Sequence, residues 1–157
     1  MINKNFLEEP NIVDLAKEIY KEVVQNKLEI DTRFTLLSDD LYEAETINFI
    51  LADGLGYENL NSTDSYLNKN VSKSINTTFP SSTNVALSSI AFMKNPIDHG
   101  LIGYYMYDKS QYGLINALNW NQDNKNLLLS DHFQKQNSIW KIFKENKIYA
   151  SNFQPRN

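Results

Sequence analysis

The chain has 157 residues and a formal net charge of -4, with two histidines and no cysteine. Such a length suits one domain that buries roughly two thirds of the surface of its unfolded chain. The lack of cysteine excludes disulfides, thiolate metal sites and a cysteine nucleophile, so any metal must be held by oxygen and imidazole. Lysine and arginine form no cluster, which argues against a nucleic-acid surface.

The N-terminal sequence MINKNFLEEPN lacks the apolar core of a signal peptide. No apolar run approaches the ~18 residues that a membrane span requires. We therefore expect no membrane partner and predict a cytoplasmic location.

The first predicted element is an amphipathic helix over about residues 11–25. Pro10 and Asn11 make a suitable start, because the Asn11 side chain can accept hydrogen bonds from the amides of the first turn. Its apolar residues recur at helical spacing and are expected to face the core: Ile12, Leu15, Ile19 and Val23. Its charged residues are expected to face away: Lys17, Glu18, Lys21 and Glu22.

Residues 47–52 are apolar at nearly every position and are followed by Asp53 and Gly54. A short apolar run of this kind predicts a buried strand of a parallel sheet. Gly54 and Gly56 allow the chain to turn tightly after that strand.

Shorter patterns predict the remaining elements. Residues 57–67 are expected to form a helix with Leu60 and Leu67 inward, and residues 138–146 another helix. A third helix begins at Thr83, with one face formed by Ala86, Leu87, Ile90 and Ala91. Strands are predicted over residues 73–79, 101–107 and 148–153. Helices that alternate with buried strands indicate an α/β fold with a mainly parallel sheet.

Asp53 is a candidate metal ligand because it follows a predicted strand. Open α/β sheets place their ligands at the carboxyl ends of strands, where a carboxylate can bind a divalent cation. Asp-Gly is also a common turn dipeptide, so a purely structural role remains open.

Thr83 is a candidate nucleophile because it lies at the predicted N-terminus of a helix, where free amides and the helix dipole favour an alkoxide and a phosphate. Its hydroxyl needs a base or a metal ion to become reactive at neutral pH. The alternative is a helix cap, which Ser81, Ser82 or Thr83 could provide.

The two histidines carry less weight. His99 is interpreted as a structural residue that forms hydrogen bonds, and His132 as a surface side chain. The chain has no Gly-x-Ser-x-Gly elbow and no phosphate loop of the Walker type, so the serine-hydrolase and P-loop classes lack their defining motifs.

Three motifs in order carry a resemblance to a known family: DGLG at residues 53–56, TFPSST at 78–83 and PIDHGLIGY at 96–104. This combination resembles the alkaline phosphatase superfamily, specifically its type I phosphodiesterase/nucleotide pyrophosphatase branch. The resemblance covers residues 46–107 well and residues 133–155 more loosely. It implies a partial alkaline-phosphatase-like fold, a mainly parallel sheet flanked by helices. Residues 1–157 would form a single unit, the truncated N-terminal part of a catalytic domain.

The resemblance also implies a chemistry. Asp53 would bind one of two divalent cations, most readily Zn²⁺, and Thr83 would be both nucleophile and metal ligand. The reaction would pass through a phospho-threonine intermediate that water hydrolyses. The substrate would be a small phosphate ester, with a nucleotide as one candidate. Most metal ligands would lie outside this chain, so the chain alone is expected to be nearly inactive. His99 corresponds to a residue that is not a ligand in the family.

Departures from the family pattern leave alternatives open. Phe92 and Met93 stand where the family usually has Thr-Gly. The eukaryotic-type nucleotide pyrophosphatases have an asparagine near the position of Tyr104 that holds a phosphate oxygen, and the residue here is aromatic. A non-catalytic binding module or relic with half an active site is one alternative, and a phosphomutase-type member is another. A sulfatase is excluded, because no Cys/Ser-x-Pro-x-Arg motif is present.

Overall fold

The computed structural model describes residues 8–24, 30–38, 41, 44–109, 113–117, 121–122, 125–126 and 135–153. Regular structure within these ranges comprises six helices and four short strands. The helices are α1 Ile12–Val23, α2 Tyr57–Asn61, α3 Tyr66–Lys69, α4 Thr83–Phe92, α5 Pro96–His99 and α6 Ile139–Glu145. The strands are β1 Tyr105–Asp108, β2 Gly113–Asn116, β3 Asn121–Gln122 and β4 Lys125–Asn126.

Helix α1 begins with a complete capping box, so the predicted start at Asn11 is confirmed. The Asn11 side chain accepts a hydrogen bond from the Val13 amide at 2.8 Å, and the Asp14 carboxylate accepts one from the Asn11 amide at 3.0 Å. These two bonds satisfy amides that have no partner inside the helix. Local sequence is therefore sufficient to place the beginning of this helix.

The face of α1 that is buried differs from the predicted one. The buried apolar side chains are Val13, Ala16, Tyr20 and, just beyond the helix, Val24. Glu18, predicted to face solvent, is only 7% exposed. Its carboxylate accepts hydrogen bonds from the Leu36 and Leu37 amides, at 2.7 and 3.0 Å, because the segment over residues 30–38 passes beside the helix.

Helix α4 lies at the centre of the packing and contacts α1, α5 and α6. The prediction of a helix from Thr83 is confirmed, whereas its predicted inward face is only partly correct. Val85 and Ile90 are buried, but Leu87 is 44% exposed. The buried face of α4 therefore differs from the predicted one. It depends on contacts with other helices, which the apolar pattern of a single helix does not encode.

The observed sheet is antiparallel, with strand order β1-β2-β3-β4. Tyr105 pairs with Asn116 and Asp108 with Gly113, and Ile115 is buried on β2. The chain thus mixes helices with a small antiparallel sheet, and a parallel sheet is not seen in the described residues. The strand predicted over residues 101–107 is confirmed only in its last part.

Three predicted strands are absent from the regular structure of the described residues: 47–52, 73–79 and 148–153. The first and last have no regular secondary structure, with Ile50 87% and Tyr149 94% exposed. The middle one makes a single parallel bridge, between Asn11 and Asn76. An apolar extended run becomes a strand only when a neighbour completes its backbone hydrogen bonds, and sequence periodicity does not identify that neighbour.

The helix predicted over residues 57–67 is divided into α2 and α3. Hydroxyl groups interrupt it: Ser62 donates to the Asn59 carbonyl, and Thr63 donates to the Leu60 carbonyl, both at 2.7 Å. Ser65 then caps α3 by accepting from the Asn68 amide. Leu67, predicted inward, is 58% exposed.

The helix predicted near the end of the chain is confirmed as α6, which Ser138 caps by accepting from the Lys141 amide. Its Phe143 ring stacks on Tyr20 of α1, with ring centroids 5.7 Å apart. Among the helices described, none is both long and apolar enough to cross a bilayer.

Candidate functional site

The two residues predicted to share a site, Asp53 and Thr83, are in direct contact. The Thr83 hydroxyl donates a hydrogen bond to the Asp53 carboxylate, with 3.2 Å between the oxygens. Thirty positions of sequence separate them. The contact therefore depends on the tertiary fold and is the central geometric feature of the site.

Asp53 lies in a tight turn that follows the apolar segment over residues 47–52. Gly54 has a φ of 75°, in the left-handed region, and the Leu55 amide donates to the Ala52 carbonyl at 3.4 Å. Space would permit a Cβ at Gly54, so backbone conformation explains the glycine there. The turn leaves the Asp53 side chain exposed to solvent, where a ligand can reach it.

Thr83 occupies the first position of α4, with Ser82 as the N-cap residue. Ser82 makes no side-chain cap hydrogen bond to the helix amides. The Thr83 hydroxyl is directed to Asp53, so the helix-cap alternative does not describe the contacts of these two side chains. The positive end of the α4 dipole lies beside the Thr83 hydroxyl and the Asp53 carboxylate.

Asn84 is a site residue that the sequence pattern did not reveal. Its carboxamide oxygen accepts from the Ser82 hydroxyl at 2.9 Å, and its carboxamide nitrogen donates to the Gly103 carbonyl at 2.6 Å. The side chain is 5% exposed. The available signal was a polar residue in the first turn of a helix, which composition alone does not distinguish from a surface position.

His99 has the structural role that its sequence context predicted. It is fully buried, its Nδ1 accepts from the Leu101 amide at 3.0 Å, and its Nε2 lies 2.8 Å from the Ser89 hydroxyl. With Nδ1 as an acceptor, a neutral ring carries its proton on Nε2 and donates to Ser89. Burial lowers the pKa of His99, Asp98 raises it and Lys94 lowers it further.

Of the departures from the family pattern, Phe92 and Met93 lie at the C-terminal end of α4, opposite to Thr83, and Tyr104 lies next to Gly103. Met93 ends α4 in the left-handed conformation, with φ 53° and ψ 38°. Tyr104, 39% exposed, directly follows the Gly103 carbonyl held by Asn84. His132 lies outside the described residues.

The distance between the oxygens of Asp53 and Thr83 suits two ligands of one cation. Two ligands are too few for a stable metal site. Two oxygens on one tetrahedral zinc ion, each at about 2.0–2.2 Å, lie about 3.3–3.6 Å apart, close to the 3.2 Å found here. The described ranges contain no group of three or more His, Cys, Asp or Glu side chains able to hold a metal ion. This pair can therefore contribute two ligands, and a stable site needs others.

Comparisons of the chain with protein-family models, with curated proteins and with solved structures find no match.

Proposed function

We propose that the chain is the N-terminal part of a zinc-dependent hydrolase of phosphate esters, of the phosphodiester or nucleotide pyrophosphate type, with Thr83 as nucleophile. The observation that carries the proposal is the hydrogen bond between Thr83 and Asp53 at the start of α4. It joins a hydroxyl, a carboxylate and a helix N-terminus, which is the combination expected from two short motifs that are far apart in the sequence, DGLG and TFPSST.

Zinc bound at Asp53 and Thr83 would lower the pKa of the hydroxyl and screen the charge of the phosphoryl group. The Thr83 oxygen forms a bond to phosphorus while the bond from phosphorus to the leaving alkoxide breaks. The hydroxyl proton is released, and the leaving alkoxide takes up a proton from solvent. Water then attacks the phospho-threonine, which regenerates the hydroxyl and releases phosphate or a phosphate monoester.

The helix dipole of α4 assists at its N-terminus. Negative charge develops on the phosphoryl oxygens beside the first turn, where the amides of a helix stabilise anions. Asp53 orients the Thr83 hydroxyl by accepting its proton in a hydrogen bond. The proposed substrate is a small phosphate ester in the cytoplasm, and the remaining metal ligands are proposed to lie downstream of residue 157.

The test compares Thr83→Ala with the native protein as its source produces it, after its intact mass has been measured. Hydrolysis of a chromogenic phosphodiester in zinc should fall about 10³-fold or more in the variant, because no nucleophile remains. Ser81→Ala removes an exposed hydroxyl from the same loop and should retain activity. Brief incubation with a labelled diester substrate should leave on Thr83 a phosphoryl group that still carries the second ester group.

Full activity in Thr83→Ala would exclude the proposed nucleophile. A protein that binds zinc and phosphate esters without turnover would instead favour the alternative of a non-catalytic module. Transfer of the phosphoryl group to a second hydroxyl of a substrate, rather than to water, would favour a phosphomutase-type activity. The chain of 157 residues by itself is expected to show little turnover even with zinc.

A further inference from the structure

Asn84 connects the start of α4 with the loop between α5 and β1. Its carboxamide accepts from Ser82, the residue before Thr83, and donates to Gly103 in the loop between α5 and β1. Both ends of the amide are thus used, and the side chain is buried. A buried carboxamide with both ends paired holds its neighbours in one arrangement, because each lost bond leaves a desolvated polar group.

The contact with Ser82 determines how α4 begins. The Ser82 hydroxyl donates to Asn84 and does not cap the helix amides. The amides of the first turn therefore make no hydrogen bond with the Ser82 hydroxyl. The first helical hydrogen bond still forms, from the Ala86 amide to the Ser82 carbonyl at 3.0 Å. The position of Thr83 relative to Asp53 depends on this start.

Only an amide suits both contacts. At 2.6 Å from the Gly103 carbonyl, the Asn84 nitrogen must be a donor. A carboxylate at this position would place two acceptor oxygens against each other, whereas its other oxygen could still accept from Ser82. Asn84→Asp therefore removes one half of the bridge with almost no change in shape, and Ser82→Ala removes the other half.

We propose that Asn84 is a positioning residue for Thr83: its bridge from Ser82 to Gly103 fixes the first turn of α4 so that the Thr83 hydroxyl stays on Asp53. This inference rests on the proposed role of Thr83 as nucleophile. Threonine in a helix has two accessible χ1 wells, so its single contact with Asp53 requires support from the surrounding structure.

The first experiment measures the χ1 rotamer of Thr83 in the isotope-labelled native protein, from three-bond couplings between its methyl carbon and the backbone. The native chain should show one rotamer, and Asn84→Asp should show averaging over two. Asn70→Asp is the matched control, because Asn70 also donates to a backbone carbonyl, that of Tyr66 at 2.8 Å, but is exposed. It should leave the Thr83 couplings unchanged.

A single Thr83 rotamer in a folded Asn84→Asp variant would overturn the proposal, as would an averaged rotamer in the native chain. If Asn84→Asp does not fold, Ser82→Ala decides the question, and unchanged couplings in it would overturn the proposal. A purely structural role would lower the melting temperature without changing the Thr83 rotamer.

The second experiment measures kcat and KM for phosphodiester hydrolysis in the native protein. Asn84→Asp should lower kcat about 10²-fold and leave KM within about twofold, the pattern of a misplaced nucleophile. An equal kcat in a folded variant would overturn the proposal. If Thr83→Ala retains activity, the proposed function fails, while the rotamer measurement still reports separately on the bridge.

Discussion

At the scale of single residues, the site depends on side chains that are polar, close and unequally exposed. Asp53 is exposed, Thr83 half-buried and Asn84 buried. This gradient suits their proposed roles, because a metal ligand must be reached from solvent whereas a positioning residue acts best where water does not compete for its hydrogen bonds. Substitutions should therefore have different effects at each position.

Asp53→Asn removes the charge of the proposed metal ligand but preserves its shape and its ability to accept from Thr83. We expect zinc affinity in the native protein to fall at least about tenfold to 100-fold, a loss typical even of groups that only support metal ligands. The melting temperature should change little, because Asp53 is exposed.

Titration calorimetry with zinc measures this effect. Asp64→Asn is the control, since Asp64 is another exposed aspartate and pairs with Lys69 at 2.7 Å. Equal zinc affinity in the Asp53 and Asp64 variants would contradict a metal role for Asp53.

Met93→Gly should stabilise the chain. Met93 adopts φ 53° at the end of α4, a conformation that costs about 1–2 kcal/mol in residues with a Cβ. Glycine removes this cost but adds about 0.5–1 kcal/mol of unfolded-chain entropy, which leaves a net gain of about 0.5–1 kcal/mol.

Urea denaturation of Met93→Gly and Met93→Ala checks the prediction. Alanine also lacks the methionine side chain but keeps the backbone strain, so Met93→Ala should be less stable than Met93→Gly. If the two variants have equal free energies of unfolding, the left-handed conformation is not the origin of the effect.

At the scale of elements, His99 joins α4, α5 and the segment before α6. Its ring contacts Ser89 of α4 and the Leu101 amide, and its carbonyl accepts from the Gln136 side chain at 3.0 Å. Protonation of Nδ1 would remove the acceptor for Leu101 inside a buried cluster. The neutral ring is therefore part of the folded state.

This burial predicts a pH dependence of stability. Because the pKa of His99 is lowered on folding, the unfolded chain binds the proton more strongly. The contribution of neutral His99 to the free energy of unfolding is complete above the ordinary histidine pKa, about 6.5. This contribution is lost as the pH falls from about 6.5 towards the lower pKa of His99 in the folded chain. The slope from this one group is at most about 1.4 kcal/mol per pH unit.

Urea denaturation between pH 5 and pH 8 measures the slope. His99→Asn should remove this contribution, and Asp98→Asn should extend it to lower pH, because Asp98 raises the pKa of His99. An unchanged slope in His99→Asn would assign the pH dependence to other groups.

The sequence predicted elements whose determinants are local. The cap at Asn11, the helix over residues 138–146, the glycine turn after Asp53 and the start of α4 all follow from interactions over a few residues. The pairing of Asp53 with Thr83 followed from the resemblance and from the general position of sites at strand and helix ends.

Features that depend on partners distant in sequence were not predicted. Glu18 is buried because a separate segment supplies two amides, and Asn84 is buried because Gly103 supplies a carbonyl. The apolar run over residues 47–52 has the composition of a strand, but its pairing depends on neighbours that its own pattern does not specify.

At the scale of the whole molecule, many large apolar side chains remain exposed. Two segments without regular secondary structure show this most clearly, with Ile50 87%, Tyr149 94% and Phe153 91% exposed. Large exposed apolar side chains promote association between chains. We therefore expect the chain of 157 residues to associate.

Sedimentation velocity over a range of concentrations tests this expectation. Ile50→Lys should reduce association, whereas Ile97→Lys should not, because Ile97 is equally exposed at 89% but lies on helix α5 and not in a segment without regular structure. A chain that stays monomeric at all concentrations and unfolds cooperatively would contradict the prediction.

The packing of α1 against α4 has a consequence for synthesis on the ribosome. The end of α4 follows the end of α1 by roughly seventy residues, so at about 5–20 residues per second α1 waits about 3–14 s for its partner. During that interval the capping box can stabilise the start of α1, but Val13, Ala16 and Tyr20 remain exposed because α4 is not yet present to bury them. The nascent chain thus presents an amphipathic helix to chaperones before its core can form.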